Sequence, residues 1–142
     1  YNWDHRNRLI SVTIITDTNT TVVNYRYDYL NRLISRTVEQ TDNQTETTQT
    51  TTQHFIHDGN QIILEFIDNE LSQRNFWGAE TDELLSVDNL IDDETLWVLA
   101  DHLNSTRNIL RNENGQVSNI ASIEYDAFGN VVSGTNPINI AP

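Results

Sequence analysis

The sequence predicts an all-β protein, built as an antiparallel meander of β-hairpins. Residues 1–11 and 25–35 align without a gap at a period of about 24 residues, and shorter copies recur at Asp58, Asp101 and Asp126. Runs of alternating apolar and polar residues, bounded by Asn, Asp and Gly, fill the intervals between these copies. Because such repeats bury their apolar faces on each other, we predict a repeat array.

Four of these copies carry an aspartate followed three residues later by Asn or Gly. An Asp side chain accepts hydrogen bonds from backbone N–H groups one or two residues further on, which closes a loop locally. Asn and Gly tolerate a positive φ at the least cost, as a hairpin loop requires. We therefore predict four structural turns, which pair Asp4 with Asn7, Asp28 with Asn31, Asp101 with Asn104, and Asp126 with Gly129.

The segments that flank the first two turns predict strands. Residues 8–15 and 32–38 are rich in β-branched side chains, which favour extended backbone. Before each turn, two aromatic residues lie two apart and so share one face of a strand. We expect these rings to stack into a ladder across neighbouring strands. The pairs are Tyr1 with Trp3, and Tyr25 with Tyr27.

Residues 17–53 predict a turn followed by a long hairpin. Residues 17–20 turn the first long strand back into the second. The segment from Arg36 to Gln53 is rich in Thr and Gln and contains the turn-like pair Asp42-Asn43. A flexible linker and an exposed hairpin both fit this composition. We prefer the hairpin, because Thr favours strands and Thr–Thr pairs across strands are favourable.

The rest of the chain alternates apolar runs with turn residues. Turns are predicted at Asp58-Gly59-Asn60 and at Asp68-Asn69, while residues 84–93 are acidic and turn-like ahead of a strand at 95–99. Asn114-Gly115 suits a type I′ loop. After Val132 we expect regular structure to end, because Pro137 cannot donate to a β-ladder.

Charge and missing residue types exclude several classes of function. The chain has 21 acidic residues against 8 basic ones, all Arg, for a net charge of -13. Such a surface repels phosphate backbones and anionic membranes, so we expect no nucleic-acid partner and no membrane insertion. Without Cys, no disulfide or thiolate site is available. Because Met is absent too, we expect a processed piece of a larger polypeptide, with any export signal upstream.

No residue pattern selects a catalytic or metal site. The chain offers many Asp and Ser residues but no spacing that marks opposed carboxylates or a nucleophile with its base. We therefore predict no enzyme, no cofactor and no bound metal. The acidic residues 82–94 are an alternative calcium site, but they lack EF-hand spacing and a solvated loop is the simpler interpretation. His54 and His57 point to opposite faces of a strand, and the other two histidines occupy turns.

Two surface roles remain open. Trp3, Trp77, Trp97, Tyr25, Tyr27 and Phe66 offer a sugar-stacking face, although their strand spacing favours a core role. Asn19, Asn43 and Asn104 satisfy the N-glycosylation sequence, which matters only if the source glycosylates secreted proteins.

Four segments together resemble the YD-repeat or RHS family. Residues 27–33, 101–107 and 124–130 are similar to its YDxxGRL, DHLGSxR and YDAFGN signatures, and residues 77–85 to the YGxxxDxxL segment that precedes them. Their order matches the N-terminal portion of the family's repeat-associated core, and the resemblance covers essentially the whole chain.

The resemblance implies one YD-repeat β-strip over residues 1–142. Residues 1–53 hold two regular repeats and the Thr-rich hairpin, residues 54–100 degenerate hairpins, and residues 101–142 the last repeats and a tail. In bacterial and insect-pathogen toxins such strips wind into a shell around a toxin, and in teneurins they form a cell-surface adhesion barrel. Asn replaces Gly in three turns here, and the self-cleaving aspartate motif of the family is not present.

We therefore expect a non-enzymatic, secreted or cell-surface strip that self-assembles into an extracellular filament or forms part of a shell wall. A dozen strands span only about 55 Å at ~4.8 Å each, too few to enclose a toxin. Open sheet ends invite another copy to pair, which makes the chain its own expected partner. The alternatives are a carbohydrate-binding or adhesion module and a fragment of a toxin-encapsulating shell.

Overall fold

The computed structural model describes residues 1–113 and 115–135, and all regular structure in these residues is β-strand. The strands are β1 (Asn2–Trp3), β2 (Leu9–Ile15), β3 (Asn19–Tyr27), β4 (Leu33–Asp42), β5 (Thr48–Asp58), β6 (Gln61–Ile67), β7 (Glu70–Trp77), β8 (Leu84–Asn89), β9 (Glu94–Ala100), β10 (Thr106–Glu113), β11 (Gln116–Tyr125) and β12 (Val131–Thr135).

The strands follow sequence order across one sheet, from β1 to β12. Neighbours pair antiparallel, as between β3 and β4, where the register runs from Asn19 opposite Asp42 to Tyr27 opposite Leu33. The predicted all-β antiparallel meander is therefore confirmed. Its residues divide into two compact units, 1–72 and 73–142, with the division inside β7.

In the first unit, the Thr- and Gln-rich segment forms the predicted hairpin rather than a linker. Strands β4 and β5 pair without interruption from Ser35 opposite His54 to Thr41 opposite Thr48. The hydroxyl oxygens of the last pair lie 2.9 Å apart. Cross-strand hydroxyl pairs therefore replace apolar packing along this hairpin.

In the second unit, a small core lies across three neighbouring strands. Leu96, Ile109 and Ala121 are buried together, with Ile120 packed against them. Ile109 is opposite Val98 on one side and Ala121 on the other, so their side chains share one face of the sheet. Ile109 and Ala121 are the most deeply buried of them, each with 1% of its surface exposed.

Apolar burial is sparse in the described part of the chain. Six hydrophobic residues are buried there, whereas twenty large hydrophobic residues are exposed. Both faces of the sheet therefore carry apolar side chains in contact with solvent. Hydrogen bonds between strands and within loops therefore contribute much of the stability that a hydrophobic core gives a globular domain.

One local prediction needs correction. Residues 84–93 are not turn-like throughout, because residues 84–89 form β8 and only 90–93 connect it to β9. The strand forms because Val87 pairs with Leu96 on the buried face, while the Thr95 hydroxyl donates to the Asp88 carboxylate at 2.7 Å. The predicted turn at Asp58-Gly59-Asn60 is confirmed as a two-residue loop of Gly59 and Asn60 between β5 and β6, with Asp58 as the last residue of β5.

The predicted end of regular structure after Val132 is also wrong, because β12 continues to Thr135, where Gly134 and Thr135 pair with Ile123 and Ser122 of β11. Pro137 lies outside the described residues. Asn114 does too, so the type I′ loop stays a prediction. Gly115 is described and has a φ of 82°.

Candidate functional site at the carboxylate corners

A corner is here a five-residue connection that begins at an aspartate and joins two strands. At the Asp4 corner, the Asp4 N–H donates to the Arg8 carbonyl at 2.9 Å, and the Asn7 N–H donates to the Asp4 carbonyl at 3.0 Å. The Asp4 Oδ1 atom accepts the N–H groups of Arg6 and Arg8 at 2.9 and 3.0 Å. One carboxylate oxygen therefore closes the loop from inside.

The same four bonds recur at the Asp28, Asp101 and Asp126 corners. Their lengths lie between 2.8 and 3.2 Å. The residue three positions after each aspartate has a positive φ: 59° at Asn7, 67° at Asn31, 59° at Asn104 and 84° at Gly129. The eight residues singled out in the sequence thus lie together as four pairs.

The second carboxylate oxygen of three corners binds an arginine, which sequence reasoning did not single out. The Oδ2 atoms of Asp4, Asp28 and Asp101 each accept a guanidinium Nε–H at 2.7 Å. The donors are Arg8, Arg32 and Arg107. At the Asp126 corner, Asn130 Nδ2 donates instead, at 2.9 Å. The signal available in the sequence was an arginine four residues after the aspartate in both aligned repeats.

Arg8 also reaches the next corner. Its Nη1 atom donates to the Asp28 carbonyl at 3.1 Å and to Asn31 Oδ1 at 3.2 Å. Its guanidinium carbon lies 5.0 Å from the centre of the Tyr27 ring, and the Tyr27 hydroxyl donates to the Leu9 carbonyl at 2.9 Å. The predicted ladder of stacked rings is therefore wrong here, because a guanidinium lies against the ring.

Similar ties join other neighbouring loops. Arg107 lies 5.1 Å from the centre of the Tyr125 ring, which directly precedes the Asp126 corner. Arg32 donates to the Gly59 carbonyl of the next hairpin loop. Every second loop of a meander lies at the same end of the strands. An arginine side chain is long enough to bridge one such loop to the next loop at that end.

The loop at residues 78–83 achieves the same closure with a different residue. Gly78 begins it where the other corners have aspartate, and its N–H donates to the Glu83 carbonyl at 2.7 Å. The Glu83 carboxylate folds back and accepts the Glu80 N–H at 3.1 Å. A Cβ atom on residue 78 would collide with that carboxylate. Gly78 therefore makes room for a carboxylate supplied from the other end of the loop.

The hydrogen bonds keep the corner carboxylates ionised. The Arg8 backbone N–H, together with the Arg8 side chain and the Arg6 N–H, lowers the pKa of Asp4 from 3.8 to about 2. Partial burial works against the shift at Asp28, but the bonds from Arg32 outweigh it and the pKa of Asp28 is lowered. The pKa values of Asp42, Asp101 and Asp126 are lowered as well, chiefly by the Thr45 N–H, the Leu103 N–H and the Asn130 side chain respectively.

The acidic residues considered for calcium bind separate partners. Glu94 forms an ion pair with Arg111, and Asp92 accepts Asn89 Nδ2 at 2.6 Å. Within residues 1–113 and 115–135, no group of three or more His, Asp or Glu side chains is arranged to hold a metal ion. His54 and His57 lie in β5, while His5 and His102 lie exposed in corners.

The three glycosylation candidates occupy different settings. Asn19 is exposed at the start of β3, and its Nδ2 atom donates to Thr18. The Asn43 side chain bridges two loops, accepting from Thr20 at 2.9 Å and donating to the Thr16 carbonyl at 3.0 Å. Asn104 Nδ2 donates to the Thr81 carbonyl at 3.3 Å. Glycosylation stays a prediction at all three.

The aromatic residues divide into two groups. Trp3 and Trp97 are 56% and 50% exposed, against the core role that strand spacing favoured. Tyr25, Tyr27, Phe66 and Trp77 are partly buried.

No protein-family model matches this sequence, and no curated protein matches it either. None of the described residues form a helix that could cross a lipid bilayer.

Proposed function

We propose that this chain is a non-enzymatic structural β-strip that works outside the cell or at its surface. In this proposal it joins neighbouring strands through its sheet edges, either as a segment of a YD-repeat wall or as the repeating unit of a filament. The resemblance of four of its segments to that family supports the wall, and the open sheet order supports edge pairing.

The observation that carries the proposal is the exposed apolar surface of the first strands of the described sheet. Ile14 and Ile15 in β2 are 54% and 74% exposed, and Trp3 in β1 is 56% exposed. Strands with exposed apolar side chains recruit another strand where their edges are unpaired.

The opposite edge has a similar character. Strand β12 pairs with β11 on one side, and Val131 and Val132 are 63% and 60% exposed. The loop carboxylates, by contrast, are engaged by bonds within the chain. We infer that the acidic residues of the loops stabilise the loops themselves, and that the edge strands bind neighbouring strands.

Electron microscopy and sedimentation velocity of the full chain over a range of concentrations test the proposal. We expect species that grow with concentration, because each added strand pair adds backbone hydrogen bonds. A monodisperse monomer at the highest attainable concentration contradicts self-assembly.

A matched pair of variants locates the contact. Val132→Lys places a charge on the edge strand and should weaken assembly. Trp97→Lys places the same charge at a half-exposed apolar position of β9, which pairs with both β8 and β10, and should leave assembly unchanged. Equal behaviour of the two variants argues against pairing through β12.

A carbohydrate-binding role is the second candidate, favoured by one arrangement in the second unit. Ser86 is paired between Phe76 and Trp97 on one face of the sheet. Ser86 is 7% exposed, whereas the two rings are 47% and 50% exposed, so they form an apolar platform over it. Arg74 and Asp88 lie opposite each other two residues along the same face. Ring faces beside hydrogen-bonding groups are suited to sugars.

A glycan array followed by tryptophan fluorescence titration tests this second role. Binding that is lost in Trp97→Ala and kept in Trp3→Ala supports the platform. Absence of any glycan-dependent change in the wild-type fluorescence contradicts it.

A further inference from the structure

The two rings of the platform in the second unit have a defined separation. Phe76 in β7 and Trp97 in β9 are each directly opposite Ser86 in β8, so one strand separates them on the same face of the sheet. Two strand spacings place their backbones about 10 Å apart. Ser86 has a small side chain and is 7% exposed, so no large side chain stands between the rings. A ligand that stacks on both rings must therefore present two similar faces at about that distance.

The same row of the sheet continues beyond Trp97 into polar side chains. Leu110 is opposite Trp97, and the exposed Asn119 is opposite Leu110. Asn119 Nδ2 donates to Ser122 Oγ at 3.0 Å, and Asn108 Nδ2 donates to the same oxygen at 2.9 Å. These bonds use the amide nitrogens, and the amide oxygens keep their capacity to accept hydrogen bonds. The row thus joins a stacking surface to acceptors for hydroxyl groups.

The charges beside the platform balance each other. Arg74 is opposite Asp88, two residues along the strands from the ring of Phe76, and the Asp88 carboxylate accepts the Thr95 hydroxyl at 2.7 Å. A guanidinium and a carboxylate both form hydrogen bonds with hydroxyl groups. The chain as a whole has a net charge of -13, which disfavours the approach of glycans that carry carboxylates or sulfates. The charge distribution therefore favours a neutral sugar.

The separation of the rings distinguishes among the neutral glycans. In an extended β-1,4-linked chain of pyranoses, each sugar is turned over relative to the one before it, so every second sugar presents the same face. The distance between two such sugars is close to two strand spacings. An α-1,4-linked chain coils, so its sugars leave the straight line that joins the two rings. The β-1,4 linkage therefore matches the platform better.

We infer that the platform binds a neutral, extended β-1,4-linked glycan that crosses the strands from β7 towards β11. One sugar stacks on Phe76, the next lies over Ser86 and the third stacks on Trp97. Hydroxyl groups of the following sugars bond with the amides of Asn108 and Asn119. This inference rests on the carbohydrate-binding role proposed above, because it names the glycan of that same site. It does not depend on self-assembly.

Isothermal titration calorimetry of the full chain with a set of oligosaccharides tests the inference. The ligands are cellobiose, cellotetraose, maltotetraose and carboxymethylated cellotetraose. We expect cellotetraose to bind about tenfold more tightly than cellobiose, because only the longer chain reaches both rings. Maltotetraose, which is α-1,4-linked, should bind no more tightly than cellobiose. The carboxymethylated ligand should bind more weakly than cellotetraose, because its charge is repelled.

Variants of each ring locate the two contacts. Phe76→Ala and Trp97→Ala should each remove the advantage of cellotetraose over cellobiose, and should leave the weak binding of the disaccharide to the remaining ring. Phe76→Tyr keeps a ring and should keep the advantage. The two rings are 47% and 50% exposed, so we expect the variants to fold, and thermal unfolding verifies it. The comparison of ligands on the wild-type chain stands without them.

The outcomes separate this inference from the proposed functions. Equal binding of cellotetraose and maltotetraose, or an advantage of cellotetraose that survives Phe76→Ala, overturns the glycan named here and leaves a carbohydrate-binding role intact. No heat of binding with any of these ligands, together with a glycan array that detects no binding, contradicts both this inference and the carbohydrate-binding role. Self-assembly is judged separately, by sedimentation velocity of the same protein.

Discussion

The guanidinium carbon of Arg8 lies 5.0 Å from the centre of the Tyr27 ring, and the Tyr27 hydroxyl donates to the carbonyl of Leu9, the residue after Arg8. The same guanidinium binds Asp4 in its own corner and Asp28 in the next. The Arg8 side chain thus stabilises the loop of its own corner and also holds that loop against the next corner. A lysine could not make these contacts together, since only the planar fork of arginine reaches both partners while it stacks on a ring.

The first prediction concerns that fork. Arg8→Lys keeps the charge but loses the Nε–H bond to Asp4 and most of the stacking on Tyr27, so we expect the free energy of unfolding to fall by about 1–2 kcal/mol. Urea denaturation followed by circular dichroism measures it. Arg26→Lys, at an exposed position in β3, should change it by less than about 0.5 kcal/mol. Equal effects in the two variants would show that the contacts of Arg8 contribute nothing.

The second prediction concerns the backbone of the Asp28 corner. Asn31 has a φ of 67°, a region that a β-branched residue enters only with strain. Asn31→Val should therefore cost about 1–2 kcal/mol, whereas Asn31→Gly should stay within about 1 kcal/mol of the wild type. Asn24→Val, in the extended backbone of β3, provides the matched control and should have little effect. Thermal unfolding that does not distinguish Asn31→Val from Asn24→Val would contradict the role of φ.

The antiparallel meander was predictable because its signals are local. An aspartate with Asn or Gly three residues later determines its own turn. Runs rich in β-branched residues, such as Leu33 to Val38, favour extended backbone and form a strand beside any neighbouring strand. The Thr-rich segment was harder, since its composition also fits a linker. The pairing of Thr41 with Thr48 in the structure distinguishes the hairpin from the linker.

The parts that escaped prediction depend on contacts between separate loops. Arg8 was visible in the sequence, but its contact with Tyr27 requires two strands to lie side by side. Gly78 gave no hint that the Glu83 carboxylate fills the space beside it. Residues 84–89 were interpreted from their acidity, although the pairing of Val87 with Leu96 determines that they form a strand.

The third prediction concerns the substitute corner. Gly78→Ala adds a methyl group where the Glu83 carboxylate lies, so that flexible side chain must move and give up its bond from the Glu80 N–H, which we expect to cost about 0.5–1.5 kcal/mol. In a Glu83→Ala background the space is empty, and the same change should cost less by about that amount. Urea denaturation of the four proteins in this double-mutant cycle gives the coupling. A coupling near zero would mean that Glu83 does not occupy the place of the corner carboxylate.

The last prediction follows from the lowered pKa values of the corner carboxylates. The pKa of Asp4 is about 2 in the fold against 3.8 as its ordinary value, so the folded state holds the ionised form more tightly than the unfolded chain does. The stability this provides is fully present above about pH 4 and is lost as the pH falls towards 2, because the unfolded state then binds protons first. We expect the urea midpoint to decline across that interval, and to decline less in Asp4→Asn. Asn7→Gly alters the same corner without removing a carboxylate, and it should retain the full decline. A wild-type midpoint that is flat from pH 5 to pH 2 would contradict a stabilising role for the ionised corners.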